Sequence, residues 1–379
     1  MTPRFTIDGS EALEQLIAST CNRAREGVLS VVPAGKLDGI LLGGGYGRGE
    51  GGVLRTPEGD KPYNDLEFYV FIRGNALLVE RRYRRPLHDL GEHLSPSAGL
   101  EVEFKVLTLE KLRRSAPSMF YYDLVAGHRR TYGDDALLDG CEHHRNAEAI
   151  PLHEATRLLF NRCSGLLFSL ERLRRPRFGA DEADFVGRNL AKAQLAFGDV
   201  LLAAQGQYHW SCRTRHERLA TIHFGEDLAW AAPLKGHHAT GVEFKLNPIR
   251  STESRETLAS RHAEVSALGR KLWLWLESKR LGRPFASATD YAFSRIDKCP
   301  ETSAVRNRFV NLRAFGSPGL VSTRYPRERL FHALALLLWE NQPWKEAALL
   351  RRIQEELRTG EPEFSGLVWV YQQLWNRFN

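Results

Sequence analysis

The sequence predicts an α+β protein: residues 1–140 form a small mixed β-sheet flanked by helices, and residues 150–379 form a mostly α-helical second domain. Three observations predict it. Apolar runs at 40–42, 66–72 and 100–107 are bounded by glycine or polar turns, the pattern of strands. Beyond residue 150 apolar positions recur at helical spacing and β-branched runs disappear. The stretch 134–151 carries neither pattern and is the best boundary, although it is too poor in proline and glycine to be a flexible linker.

The first helix opens on a D-x-x-E signal, Asp8 and Glu11, and repeats Leu13, Leu16, Ile17, Cys21 and Ala24 on one face; Gly27 should end it. Ile40-Leu41-Leu42 stops at Gly43-Gly44-Gly45, which reads as a buried strand feeding a glycine turn. The run 66–72 is apolar at most positions, and 100–107 alternates Glu101, Glu103 and Lys105 against Val102, Phe104 and Val106. Helices are expected at 154–174, 182–204 (closed by Gly206), 253–281, 327–340, 344–358 and 366–377.

At 379 residues the chain has room for two domains or at most three. Hydrophobic residues at 42% and charged ones at 26% exclude a disordered chain. No apolar stretch is long enough for a membrane helix, and the N-terminus, with Asp8, Glu11 and Glu14, lacks the layout of a signal peptide, so a cytoplasmic protein without a membrane partner is expected. Five scattered cysteines without a C-x-x-C pair read as reduced thiols. A net charge of +7 and a pI near 9.2 suit a protein that handles phosphates, on a nucleotide or on nucleic acid. Basic pairs such as Arg81-Arg82 and Arg84-Arg85 read as solvated helix faces.

The chemistry concentrates in Gly43-Gly44-Gly45-Tyr46-Gly47-Arg48-Gly49-Glu50, after the first strand, and Asn64-Asp65-Leu66-Glu67-Phe68-Tyr69-Val70, opening the second. Side chains two apart on a strand share a face, so Asp65 and Glu67 project together. Hard divalent cations take oxygen ligands shared between carboxylates and substrate phosphates, which is what an acidic pair facing a glycine turn offers.

This pattern resembles the DNA polymerase β-like nucleotidyltransferase superfamily over about residues 10–115: a strand, a Gly-Gly turn with R-G-E, and an acidic pair spaced by one residue. The resemblance implies a third carboxylate from a later strand, for which Glu103 fits, with Glu101 as its rival. It also implies Mg²⁺ or Mn²⁺ held by Asp65, Glu67 and Glu103, a nucleoside triphosphate as substrate, and nucleotide contacts from the amides of Gly44 and Gly45 and from Arg48. Metal-assisted transfer of a nucleoside monophosphate to an acceptor hydroxyl would follow. The loop between Glu50 and Asn64 is longer than in compact members, and glycine stands where many have serine.

Competing patterns fail on context. Gly47-x-Gly49-x-x-Gly52 with Glu67 imitates a dinucleotide fingerprint, but the segment after it is too rich in glycine and proline to form the required helix. No Gly-Lys-Ser/Thr follows, which excludes a Walker A loop. Cys141, His143 and His144, like His209, Cys212 and His216, match no zinc spacing. The tryptophans of the second half read mostly as core.

In the helix at 182–204, Arg188, Lys192 and Asp199 fall within about 40° of one another at 100° per residue. This stripe is either a cleft-facing set, with Arg188 and Lys192 on phosphate and Asp199 on the acceptor as base, or a solvated face or internal ion pair. The run G-D-V-L-L-A-A-Q-G-Q-Y at 198–208 is distantly similar to the helical substrate domains of kanamycin nucleotidyltransferase-like proteins. Small molecules, proteins and RNA ends are all acceptors in the class, and the basic charge leans toward an anionic or RNA acceptor. The alternative is a non-catalytic nucleotide-sensing or nucleic-acid-binding protein on the same fold.

Overall fold

A computed structural model of the chain describes residues 4–317, 319 and 322–379. Two units emerge: one holds the chain up to Pro151 together with Gln205–Ile222 and Val242–Ile249, the other Leu152–Ala204, His223–Gly241 and Arg250–Asn379. The chain is thus α+β, with its strands early and mostly helices thereafter.

The first unit runs α1 (Glu11–Val31), β1 (Leu37–Leu42), a single turn α2 (Gly44–Gly47), β2 (Val53–Thr56), β3 (Gly59–Pro62), β4 (Leu66–Ile72), α3 (Ala76–Ala98), β5 (Val102–Leu107), α4 (Leu109–Arg114), α5 (Met119–Ala126) and β6 (Arg129–Tyr132). Four strands form a mixed sheet in the order β5-β4-β1-β6, with β4 and β5 parallel and β1 antiparallel to both neighbours. Parallel neighbours need a crossover, and α3 provides it.

β4 alternates between two cores. Leu66, Phe68, Val70 and Ile72 pack with Leu13, Ile17, Ala24 and Val28 of α1 and with Val79, Tyr83, Leu87 and Leu94 of α3. Tyr69 and Phe71 join Leu41, Leu112, Leu124 and Val125 on the opposite face. Because both faces are covered, the strand is apolar almost throughout, and Glu67 is the exception.

Several boundaries differ from those read in the sequence. α1 continues past Gly27 to Val31, because Val28 is fully buried and Gly27 lies where a side chain would meet Leu90 of α3 at 2.6 Å. Asp8 does not cap α1 but pairs with Arg55, and Glu14 accepts the amides of Phe5 and Thr6 at 2.7 and 3.0 Å. The long loop before Asn64 folds as the β2–β3 hairpin. The 134–151 stretch is three short 3₁₀ turns, Asp135–Leu138, Glu142–Arg145 and Ala147–Ala149.

The rest of the chain contributes α6 (Leu152–Leu173), α7 (Ala180–Ala204), α8 (Cys212–Thr221), α9 (Leu234–Leu246), α10 (Arg255–Leu281), α11 (Ala288–Phe293), α12 (Ala304–Phe315), α13 (Arg327–Trp339), α14 (Ala347–Leu357) and α15 (Phe364–Phe378). Residues 150–379 are not one domain, since 205–222 and 242–249 pack into the first unit. Tyr208 stacks edge-on against Tyr122 at 5.7 Å, and Phe244 meets Tyr63 at 6.0 Å. Among the described residues no helix is long and apolar enough to cross a membrane.

The second unit is centred on Trp273, which is fully buried against Tyr291, Phe331 and Trp339 at ring separations of 5.5–5.7 Å. Trp369, by contrast, is 62% exposed, which corrects its placement in the core. Trp273→Ala should lower unfolding stability by about 3–5 kcal/mol in urea denaturation. Trp369→Ala should stay within about 0.5 kcal/mol of wild type.

Candidate functional site

The site lies at the heads of β4 and β5. Gly43, just after β1, donates its amide to the Glu67 carbonyl at 2.9 Å, which ties the glycine turn to the start of β4. Gly44 has φ +61°, in the left-handed region, and a side chain there would come within 3.1 Å of Glu67 Oε2. The turn therefore lies directly beside that carboxylate.

Asp65 immediately precedes β4, Glu67 is its second residue, and Glu103 of β5 is the register partner of Glu67. Oxygens of Asp65, Glu67 and Glu103 all lie within 4.8 Å of one another. Glu101 stands outside this group. Its backbone carbonyl accepts the Leu66 amide at 2.9 Å, and the ladder that starts there sets Glu103, two residues on, beside Glu67.

Lys105, to which sequence reasoning assigns no role, completes the cluster. Its Nζ lies 2.9 Å from Glu67 Oε1 and 3.1 Å from Glu103 Oε2. The available signal was its position two residues after Glu103 on the same face. Tyr69 donates its hydroxyl to Glu67 Oε2 at 3.3 Å.

Although Asp65 as a whole is exposed, partial loss of water around its carboxylate, followed by the charges of Glu67 and Glu103, pushes its pKa above the usual value. For Lys105, burial would favour the neutral amine, but Glu67 and Glu103 outweigh it and raise the pKa.

A cleft of about 140 Å³ opens beside the cluster, bordered by Gly43, Gly44, Arg48, Glu67, Tyr69, Lys105, Phe120, Asp123 and Leu124. Arg48 reaches this cleft with its guanidinium already engaged, by Asp123 at 2.9 Å and by the Trp210 carbonyl at 3.1 Å. Gly45 lies deeper in the turn, where its carbonyl accepts the Glu50 amide at 2.9 Å.

Glu50, the acid of the R-G-E run, is only 4% exposed and holds the Gln205–Ile222 segment. It accepts the Ser211 hydroxyl at 2.5 Å and the Cys212 amide at 2.9 Å, at the N-terminus of α8. Arg215 caps the carbonyls of His209 and Trp210 at 2.6 and 3.1 Å. No local pattern announces these contacts, because Glu50 and Ser211 are 161 residues apart.

Arg188, Lys192 and Asp199 all belong to the second unit, whereas Asp65, Glu67, Glu103, Gly44, Gly45 and Arg48 belong to the first. Arg188 pairs with Asp184 at 3.1 Å, and Lys192 is exposed. Asp199, 5% exposed, accepts from His238 Nε2 at 3.0 Å and so forms an internal pair. His143 and His144 bond to the carbonyls of Ser115 and Leu112, and His209 Nδ1 accepts the Ser211 amide. All five cysteines are free and buried.

Compared with known proteins, the chain matches no family model, no curated protein and no solved structure. The site therefore speaks through its own residues.

Burial pushes the Glu50 pKa up, but the Ser211 hydroxyl, the Cys212 amide and Lys245 outweigh it, leaving it below the ordinary value of 4.5. A carboxyl depressed in the folded state adds stability above its unfolded pKa and loses it as pH falls through the folded one. Glu50→Ala should therefore cost roughly 3 kcal/mol at pH 7, from buried donors left unpaired. The stability gap between wild type and Glu50→Gln, measured in urea, should narrow below pH 4.5.

Proposed function

We propose that the first unit is a metal-dependent nucleotidyltransferase centre, moving a nucleoside monophosphate from a nucleoside triphosphate to an acceptor hydroxyl. One observation carries this reading: three carboxylates from the heads of two adjacent parallel strands converge within 4.8 Å, beside a glycine turn. The donor set fits a hard divalent cation, since all its ligand atoms are carboxylate oxygens. The position of the Lys105 ammonium between Glu67 and Glu103 also supports it, because the site already accommodates positive charge. Mg²⁺ or Mn²⁺ held by Asp65, Glu67 and Glu103 would neutralise phosphate oxygens and acidify the acceptor hydroxyl.

The chain's own residues have distinct tasks in this reading. The Gly44 turn lets phosphate approach the backbone beside Glu67 without a side chain between them. Tyr69 fixes the Glu67 carboxylate through its hydroxyl. Lys105, released from Glu67 and Glu103, turns its ammonium to the triphosphate. Phe120, 42% exposed at the cleft edge and 5.6 Å from Tyr69, offers a ring on which a base stacks. Asp123 and the Trp210 carbonyl hold Arg48 as a fixed positive wall. A cytoplasmic site of action, where nucleoside triphosphates are abundant, goes with this reading.

Lys105 also favours a second reading, in which its ammonium permanently neutralises Glu67 and Glu103 and the protein senses a partner without catalysis. Metal titration separates the two. In the enzymatic reading Mn²⁺ binds the wild type, Lys105→Met binds it more tightly, and Asp65→Ala with Glu67→Ala abolishes binding. Transfer of label from an α-³²P nucleoside triphosphate should fall by at least about 10²–10³-fold in the double variant. Mn²⁺ binding that is absent in wild type and in Lys105→Met would rule the enzymatic reading out.

A further inference from the structure

We infer that the acceptor is an extended polypeptide segment that pairs with the free edge of β5 and carries a hydroxyl side chain beside Glu103; this rests on the nucleotidyl-transfer reading of the same site. β5 is the outer strand of the sheet, bonded on one side to β4. The Leu66 amide bonds to the Glu101 carbonyl, so Glu101, Glu103 and Lys105 turn their backbone groups toward β4. Val102, Phe104 and Val106 turn theirs outward.

Only the start of that outward edge is covered. The Val102 amide is taken by Ser95 Oγ at 2.9 Å, and its carbonyl lies so close to Gly91 of α3 that a side chain there would sit 2.3 Å from it. No described residue of the chain pairs with the outward groups of Phe104 and Val106. Along this stretch a cavity of about 820 Å³ opens between β5 and α3. A half-open edge beside a large groove is the arrangement in which a peptide adds as a further strand.

Charge selects the peptide over a nucleic acid. The groove presents the carboxylates of Glu80, Asp89, Glu92, Glu101 and Glu103. Against these five stand three cations, Arg84, Arg85 and Lys105. The chain's net +7 is thus locally reversed, and a phosphate backbone laid here would be repelled. A peptide backbone is neutral, and its side chains can answer both signs.

The pleat does the rest. Neighbouring strands lie about 4.8 Å apart, and side chains at matched positions share a face. The peptide residue beside Glu103 therefore projects toward the Asp65-Glu67-Glu103 cluster, while its two neighbours point into the groove under α3. In the transfer, its hydroxyl oxygen forms a bond to the α-phosphorus and the α–β phosphoanhydride bond breaks. Pyrophosphate departs, and the hydroxyl proton passes to the Glu103 carboxylate.

The test presents the full-length protein with Mn²⁺, the four α-³²P nucleoside triphosphates, and either a synthetic library of Ser-, Thr- and Tyr-centred peptides or total RNA. Peptides should take label and RNA should not. Val106→Pro, which removes one outward amide at a position where an edge strand tolerates proline, should reduce peptide labelling about tenfold more than it reduces Mn²⁺-dependent nucleotide binding. Arg84→Glu with Arg85→Glu, surface changes that leave the strand intact, should sharpen the wild-type preference for basic residues flanking the hydroxyl, because the groove then loses two of its three cations. Label on RNA alone, or peptide labelling indifferent to both variants, overturns the inference. Absence of Mn²⁺-dependent nucleotide binding in wild type instead brings down the enzymatic reading, and the inference with it.

Discussion

In β4 and β5 the register sets Glu67 directly across from Glu103, with Asp65 at the same end of the sheet. Like charges in such a position repel unless a cation lies among them. Lys105 meets that need with contacts to both glutamates. The surrounding structure keeps the register in place. A slip of β5 by one residue would turn Glu103 toward the α1 and α3 core and Phe104 toward the cleft, exchanging a half-buried ring packed on the core for a charge. The stacking of Phe68 on Phe104 at 5.3 Å and the close seat of Val102 against Gly91 oppose such a slip.

The glycine turn belongs to the same device. Its first amide is bonded to the Glu67 carbonyl, and its R-G-E acid anchors α8 through Ser211 and Cys212. The bond to Glu67 and the hold on the returning 205–222 segment therefore both start from residues 43–50. Arg48 belongs there too, with Asp123 and a carbonyl holding it in place.

What the sequence makes legible follows from the range of the interactions. Alternation in β4 and β5 is local, so Asp65, Glu67 and the face of Glu103 can be read directly, whereas choosing Glu103 over Glu101 requires the register of two strands. α3 is hidden because Pro86 and Pro96 lie within it, and β6 because four residues with two arginines carry no apolar run. The return of 205–222 depends on a contact spanning 161 residues. Net charge misleads for a related reason. Many arginines cap carbonyls within the fold, Arg215 on His209, Arg327 on Phe378 and Arg329 on Glu356 among them, so the total says little about the groove beside β5.

On the proposed reading, Asp65, Glu67 and Glu103 would exchange the Lys105 ammonium for a divalent cation when a nucleotide binds. A crystal structure with Mn²⁺ and a non-hydrolysable nucleoside triphosphate, with data at the manganese edge, tests it directly. The expected result is an anomalous peak among the three carboxylates, phosphates against the Gly43-Gly44 turn, and Lys105 turned from Glu67 to the phosphates. Lys105 still bridging Glu67 and Glu103, with manganese and nucleotide elsewhere or absent, would contradict it.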